Sequence, residues 1–306
     1  MAKDISIARY GVINVPMAVF WSKPGEIQSQ DISNLAAADP ARWAGNLNTE
    51  ERLWLVGKVD TTALYGEAVA ILEQQGDWLK VAAVKQPTVQ NKLGYPGWIL
   101  TKQIGCHPAD FNDHKNQAEA VVSKPKAGLF ADSALTNSRG QLSYQTRLPI
   151  LKETENYLEV QLPDETAGYL ARRDIHKESE LFFDGKNIVQ EARQFLGLPY
   201  LWGGTSSWGF DCSGFMFRLY QSQGILIPRD ASEQAEKGTA VEKEHLQAGD
   251  LLFFAKDRLK EKIHHVGMYI GEGLMIHSPN SKSLIRIEAY QGGVYGEEFW
   301  GARRYC

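Results

Sequence analysis

A weak internal repeat in the first 180 residues constrains the fold more than any other feature. The first copy reads GVINVPMAVFW, GEAVAILEQQGDWLKVAA and GYPGWILTKQIG, and the second reads AVVSKPKAGLF, TRLPILKETENYLEVQL and AGYLARRDI. Each copy opens on a run containing a proline, passes through short runs in which apolar and polar residues alternate, and closes on glycine followed by aromatic and aliphatic residues. A period of two sends successive side chains to opposite faces, so these runs are antiparallel strands. About five such strands in about 60 residues make a small, partly open barrel. The chain therefore begins with two all-β units in tandem. An insertion in the first copy, SQDISNLAAADPARWAGNLNTEERLWLVG, reads as partly helical.

Beyond the repeat the pattern changes. Asp184-Gly185 is a helix-entry turn, Ile188, Ala192, Phe195 and Leu196 recur at helical spacing, and Gly197 with Pro199 ends the helix. A glycine loop, a second helix and a run of strands follow, which is an α+β unit. The expected organisation is a first barrel with its N-terminal segment over 1–107, a second barrel over 115–180 and the α+β unit over 185–306. A length of 306 residues accommodates two or three domains.

A net charge of −4 without a basic stripe argues against nucleic acid as a partner. No apolar run approaches the ~18 residues of a membrane span. Asp4, Arg9 and Asn14 interrupt any apolar leader core, so the expectation is a cytoplasmic chain, with a trimmed leader left open. Three cysteines, Cys106, Cys212 and Cys306, are too few and too scattered for a disulfide framework, and Cys106 and Cys306 read as bystanders.

Cys212 is different. It sits in FDCSGF, after glycines and before an apolar run in which Phe215, Leu219 and Tyr220 fall on one helical face. A helix N-terminus carries partial positive charge and unpaired N–H groups, which favour a thiolate and can hold an oxyanion. A packed, inert cysteine is the alternative. A reactive thiol needs a base. His265 in HHVGMYIG and His277 in LMIHSP flank Gly271-Glu272-Gly273, a hairpin turn. If Tyr269 pairs with Met275, Gly267 faces His277, and His265 and His277 share one face on a diagonal. A slip of one residue would send His277 to the other face. The expected roles are nucleophile, base and orienting histidine. His264 points the opposite way, and His245 in KEHLQAGD is a solvated loop residue. A zinc site from Cys212, His265 and His277 lacks a carboxylate to complete it.

Three segments together resemble the NlpC-type cell-wall cysteine peptidases, whose fold is a reduced papain-like one. They are Tyr200-x-Trp202-Gly203-Gly204, Asp211-Cys212-Ser213-Gly214 and His265-Val266-Gly267, and the resemblance covers roughly 185–306. With the two repeats, the LYGE run (Leu64 to Glu67) and Tyr95 in GYPGW, the chain resembles a narrower subfamily, the γ-D-glutamyl-L-diamino acid endopeptidases with tandem bacterial SH3-like domains.

This resemblance implies a catalytic triad of Cys212, His265 and His277, with Tyr200 as the active-site tyrosine. Asp211 and Ser213 would line the substrate groove, and Tyr95, Arg229, Asp230 and Asp60 would join them in binding. Asp60 stands where the family more usually shows Glu, so its reach is shorter. The implied substrate is a murein peptide with a free N-terminal L-Ala. Its γ-D-glutamyl bond to meso-diaminopimelate or Lys would be cut by the Cys212 thiolate, releasing L-Ala-γ-D-Glu. No metal or organic cofactor is implied. A buried ammonium needs negative partners, which two acids and a phenol would supply. As alternatives, Asp230 is an N-cap, Tyr95 a core aromatic and Asp60 a loop acid. The role implied is recycling of peptidoglycan peptides. The rivals are an exported hydrolase of intact wall and a wall-binding protein with an inactive peptidase domain.

Overall fold

The computed structural model describes residues 9–25, 39–105, 118–256 and 262–306. Cys106, Asp4 and the start of the insertion lie outside these residues.

Seven antiparallel strands form the first sheet: β1 (Arg9–Ile13), β2 (Met17–Trp21), β3 (Val59–Leu64), β4 (Ala68–Gln75), β5 (Trp78–Ala83), β6 (Tyr95–Leu100) and β7 (Ile104–Gly105). Seven more form the second: β8 (Glu119–Val122), β9 (Lys126–Phe130), β10 (Ser138–Ser143), β11 (Arg147–Glu153), β12 (Tyr157–Gln161), β13 (Ala167–Ala171) and β14 (Ile175–Lys177). The first order is β3-β2-β6-β5-β4-β1-β7 and the second is β10-β9-β13-β12-β11-β8-β14, so adding seven to each number of the first gives the second. The weak sequence repeat is thus a repeat of topology.

β2 explains why the first copy carries an unbroken apolar run. Ala18 and Phe20 pack into the core of their own sheet, whereas Met17, Val19 and Trp21 pack on the opposite face against Leu201 and Trp208 from the C-terminal unit. The insertion lies on that second face. Its helices α1 (Pro40–Asn46) and α2 (Thr49–Trp54) start at capping side chains, Asp39 for α1 and an Asn48/Glu51 capping box for α2. They set Trp43 and Trp54 with ring centroids 6.2 and 6.4 Å from Trp21.

The C-terminal unit begins with α3 (Gly185–Arg193), capped by the Asp184 carboxylate. Ile188, Ala192 and Phe195 are buried as their spacing predicts, but Leu196 is 45% exposed, because the helix has already ended and the chain is turning at Gly197. A short hairpin of β15 (Thr205–Ser206) and β16 (Gly209–Phe210) leads into α4 (Cys212–Ser222) and α5 (Ala231–Glu236). The remaining elements are β17 (Thr239–Val241), β18 (Leu251–Ala255), β19 (Ile263–Gly271), β20 (Leu274–His277), β21 (Arg286–Ala289), α6 (Gly293–Glu298) and β22 (Phe299–Arg304). These six strands form an antiparallel sheet in the order β17-β22-β18-β19-β20-β21.

α4 lies on this sheet, with Phe215 and Leu219 in one core with Val266 and Met268. All 11 of its residues are buried, not one face only. The reason is that its other side meets the first unit. Arg218 of α4 is fully buried and bonds to Glu67 and to the carbonyl oxygen of Thr205, while the Thr205 amide donates to Thr62 Oγ1 at 2.8 Å. Among the described residues no helix is long and apolar enough to cross a membrane.

Candidate active site

The first helical residue of α4 is Cys212, and Asp211 at the N-cap accepts the Gly214 amide at 2.6 Å. Two glycines allow the approach of loop to helix: a Cβ on Gly214 would lie 2.2 Å from the Gly204 carbonyl oxygen. Any larger residue at Gly214 would therefore force the YLWGG loop off the start of the helix. Backbone hydrogen bonds from Val266 and Ser213 reach the Cys212 thiol, which brings it against the strand that carries His265.

The register of that strand is set by the turn. Tyr269 pairs with Met275 and Met268 with Ile276, so Gly267 stands opposite His277. A Cβ on Gly267 would lie 3.1 Å from His277 Cβ and 2.9 Å from Met275 Sδ. In the space this glycine leaves, His265 Nε2 comes to 2.7 Å from His277 Nδ1. The other nitrogen of His277, Nε2, lies 2.5 Å from Glu288 Oε1 on β21, and Arg286 Nε donates to the same oxygen at 2.8 Å. Tyr295 covers both imidazoles, with ring centroids 5.6 Å from His265 and 5.1 Å from His277.

Burial dominates the electrostatics. It pushes the Cys212 thiol up to about 12, and the Asp211 charge adds to the effect. It holds His265 well below the ordinary imidazole range and brings His277 down to about 4 despite the opposing Glu288 carboxylate. Either charge alone is disfavoured here, so a thiolate forms only together with an imidazolium. Burial thus works against the helix-terminus N–H groups that favour a thiolate at Cys212.

Tyr200 is buried and its phenol is raised well above its ordinary value, first by burial and then by Cys212 and Asp211, which places it beside both as a neutral donor. Asp211 and Ser213 are buried and engaged by Arg229. The guanidinium donates to Asp211 Oδ2 at 2.6 Å, to Ser213 Oγ at 2.9 Å and to Thr61 Oγ1 at 3.0 Å. Arg229 is itself 1% exposed, so it braces Asp211, Ser213 and Thr61 from within the structure.

The adjacent Asp230 is half-buried at the start of α5, where it makes no side-chain cap bond. Its carboxylate instead accepts the Tyr95 hydroxyl, with Gln90 Nε2 at 3.1 Å from Tyr95 Oη and 3.3 Å from Asp230 Oδ2. Tyr95 also packs in the core of the first sheet, so the core and pocket readings both describe it. Asp60 is half-buried in β3 at a bulge, where Val59 pairs with Trp21 and Thr61 with Phe20, directly before the Thr61 that holds Arg229. Away from the site, His264 pairs with Glu298 at 2.9 Å, His245 is exposed, and Cys306 is a free, exposed thiol.

Sequence reasoning missed Glu288, Arg286, Tyr295 and Gln90. Only the pairing of β20 with β21, His277 opposite Arg286 and Met275 opposite Glu288, brings Glu288 to His277, and no local motif announces it.

Residues 197–304 match the NlpC/P60 family, and residues 122–177 match the YKFC SH3b2 domain. The chain is 40% identical over 305 residues to a gamma-D-glutamyl-L-lysine dipeptidyl-peptidase of Bacillus cereus (strain ATCC 10987 / NRS 248), covering 96% of this chain and 90% of that protein. It is 35% identical over 291 residues to the protein of the same name from Bacillus subtilis (strain 168), covering 94% of this chain and 96% of that one. A crystal structure of an NlpC/P60 family protein from Bacillus cereus ATCC 10987 superposes with a TM-score of 0.90 at 40% identity, covering 97% of this chain and 99% of the other.

Proposed function

We propose that this chain, which belongs to the NlpC/P60 family, is a cysteine peptidase that cuts the γ-D-glutamyl bond to a diamino acid in murein peptides whose N-terminal L-Ala is free. One observation carries the reading. The Tyr95–Asp230 pair, a buried phenol on a half-buried carboxylate contributed by two different units, is tied through Arg229 and Asp211 to the start of the helix bearing Cys212. An ammonium received by this pair would thereby be held at a fixed span from the nucleophile. The names carried by the Bacillus relatives support the same bond and the same dipeptide product.

In this reading the L-Ala ammonium meets Asp230 and Tyr95, and Asp60, one residue before the Thr61 that holds Arg229, would join them. Cys212 gives its proton to His265 as sulfur adds to the γ-carbonyl carbon of D-Glu. The oxyanion faces the Cys212 N–H at the helix start and the neutral Tyr200 hydroxyl. The C–N bond breaks as His265 returns the proton to the leaving amine, which leaves a thioester. Water, deprotonated by His265, then releases L-Ala-γ-D-Glu and regenerates the thiol.

The finer fold reading belongs to the same proposal: two SH3-like barrels, over 1–107 and 115–180, and a reduced papain-like unit over 185–306. So does a role in recycling peptidoglycan peptides in the cytoplasm, where fragments with a free amino terminus would be the substrate. The test is incubation with L-Ala-γ-D-Glu-L-Lys and with L-Ala-γ-D-Glu-meso-diaminopimelate, with products followed by mass spectrometry. Release of L-Ala-γ-D-Glu, lost in Cys212→Ala, supports the reading. Absence of cleavage of both peptides overturns it.

A further inference from the structure

We propose that Glu288 is a positioning residue of the reaction, fixing the tautomers of two successive imidazoles so that His265 presents an unprotonated Nδ1 to Cys212. The inference rests on Cys212 and His265 being the reacting pair.

Hydrogen-bond chemistry leaves one arrangement. A carboxylate only accepts, so the 2.5 Å contact from Glu288 Oε1 to His277 Nε2 requires the hydrogen to sit on His277 Nε2. A neutral imidazole carries one hydrogen, so His277 Nδ1 is an acceptor. The 2.7 Å contact between that atom and His265 Nε2 then requires the hydrogen of His265 to be on Nε2. His265 Nδ1 is left with a free lone pair, which is what a base for the thiol needs. Without the carboxylate either tautomer of His277 is available. In one of them His265 carries its hydrogen on Nδ1 and cannot accept a proton there.

The carboxylate stays ionised. Burial opposes this, but the bonds from Arg286 and His277 outweigh it and hold Glu288 below the ordinary carboxylate range. Its charge also favours the imidazolium formed when Cys212 reacts. Among the described residues the other ionisable groups around the two imidazoles are Tyr295, His264 and Arg286, with Cys212 and Glu298 beside Tyr295. Tyr295 is raised to about 12 and is neutral, so Glu288 is the anion nearest the pair.

The test compares wild type, Glu288→Met and Glu288→Gln as full chains. Long-range ¹⁵N–¹H spectra of histidine-labelled protein read the tautomers without any substrate, and Cys212 alkylation by iodoacetamide, mapped by peptide mass, reads the thiol–imidazole pair. These readouts keep a failure of the inference distinct from a failure of the substrate assignment. We expect His265 and His277 both in the Nε2–H form in wild type and mixed tautomers in Glu288→Met. In that variant kcat should fall about 10²-fold with KM nearly unchanged. Glu288→Gln, whose carbonyl oxygen can still accept both N–H bonds, should fall between the two. In both variants the acid limb of alkylation should move to lower pH, because removing an anion lowers an imidazole pKa. A wild-type His265 with its hydrogen on Nδ1 would overturn the inference. So would a Glu288→Met protein that keeps wild-type kcat, or one that loses it with no shift of the acid limb.

Discussion

Tyr95 donates its hydroxyl to Asp230, 3.1 and 3.0 Å from the two carboxylate oxygens, across 135 residues and a boundary between two units. Neither unit alone has the pair, so the proposed recognition of a substrate amine depends on how the first sheet is docked on the C-terminal unit. Removing the hydroxyl leaves the carboxylate with one donor fewer and the pocket less polar. We expect Tyr95→Phe to lower kcat/KM for a free-amine peptide by about 10- to 100-fold, the equivalent of about 1–3 kcal/mol. Steady-state kinetics on free and N-acetylated peptides check this, since the acetylated peptide should not distinguish variant from wild type.

Gly267 keeps the two imidazoles in register. A methyl group there would press on His277 Cβ at 3.1 Å and on the Met275 sulfur at 2.9 Å. Met275 can give way more easily than a histidine bonded at both ring nitrogens. Gly267→Ala should cost about 1–3 kcal/mol of stability and should lower kcat more than KM, through displacement of His277. Thermal melts and kcat together measure the two effects.

The depressed imidazoles predict the direction of a pH effect. His265 and His277 lie below the unfolded value of about 6.5, His277 at about 4, chiefly through burial. Below about 6.5 the unfolded chain binds protons that the native site refuses, so stability falls as pH is lowered from there toward 4. Above that window the two residues add no pH dependence. The expected result is a melting temperature that drops between pH 6.5 and 4.5, with a shallower drop in His277→Asn. Equal slopes for both proteins would contradict it.

Arg218 is fully buried and is partnered by Glu67 of the first unit, the Thr205 carbonyl oxygen and Gln221 Oε1. Glu67→Ala would strand that charge at the junction. A loss of about 3–5 kcal/mol in urea unfolding is expected, whereas the double change Glu67→Leu with Arg218→Met should recover much of it.

The parts of this site that were legible in the sequence are the local ones. The start of α4 could be placed because Cys212 follows glycines and precedes an apolar run with one helical face, and the histidine register because Gly271-Glu272-Gly273 fixes a turn and strand period does the rest. Duplication of the β unit was visible as a pattern, but its strand order was not, since pairing partners are set by packing between distant runs. Asp230 was open to two readings because a cap residue and a ligand residue look alike in sequence; its carboxylate turns to Tyr95, and α5 goes without a side-chain cap. Glu288 carried no signal, because RIEA reads as an ordinary strand whose charged residues face solvent. Its strand puts Ile287 into the core and Glu288 beside His277. Burial of the whole of α4 was equally hidden, since it depends on a neighbouring unit and not on the helix's own periodicity.

The most direct test of the central claim sets L-Ala-γ-D-Glu-meso-diaminopimelate against the same tripeptide with its amino terminus acetylated, each with wild type and with Asp230→Asn. The account predicts that wild type releases L-Ala-γ-D-Glu from the free peptide and leaves the acetylated one nearly intact, and that Asp230→Asn erodes this preference chiefly by slowing cleavage of the free peptide. Equal cleavage of the two peptides by wild type would contradict it, leaving Cys212 chemistry without the amine pocket assigned to Tyr95 and Asp230.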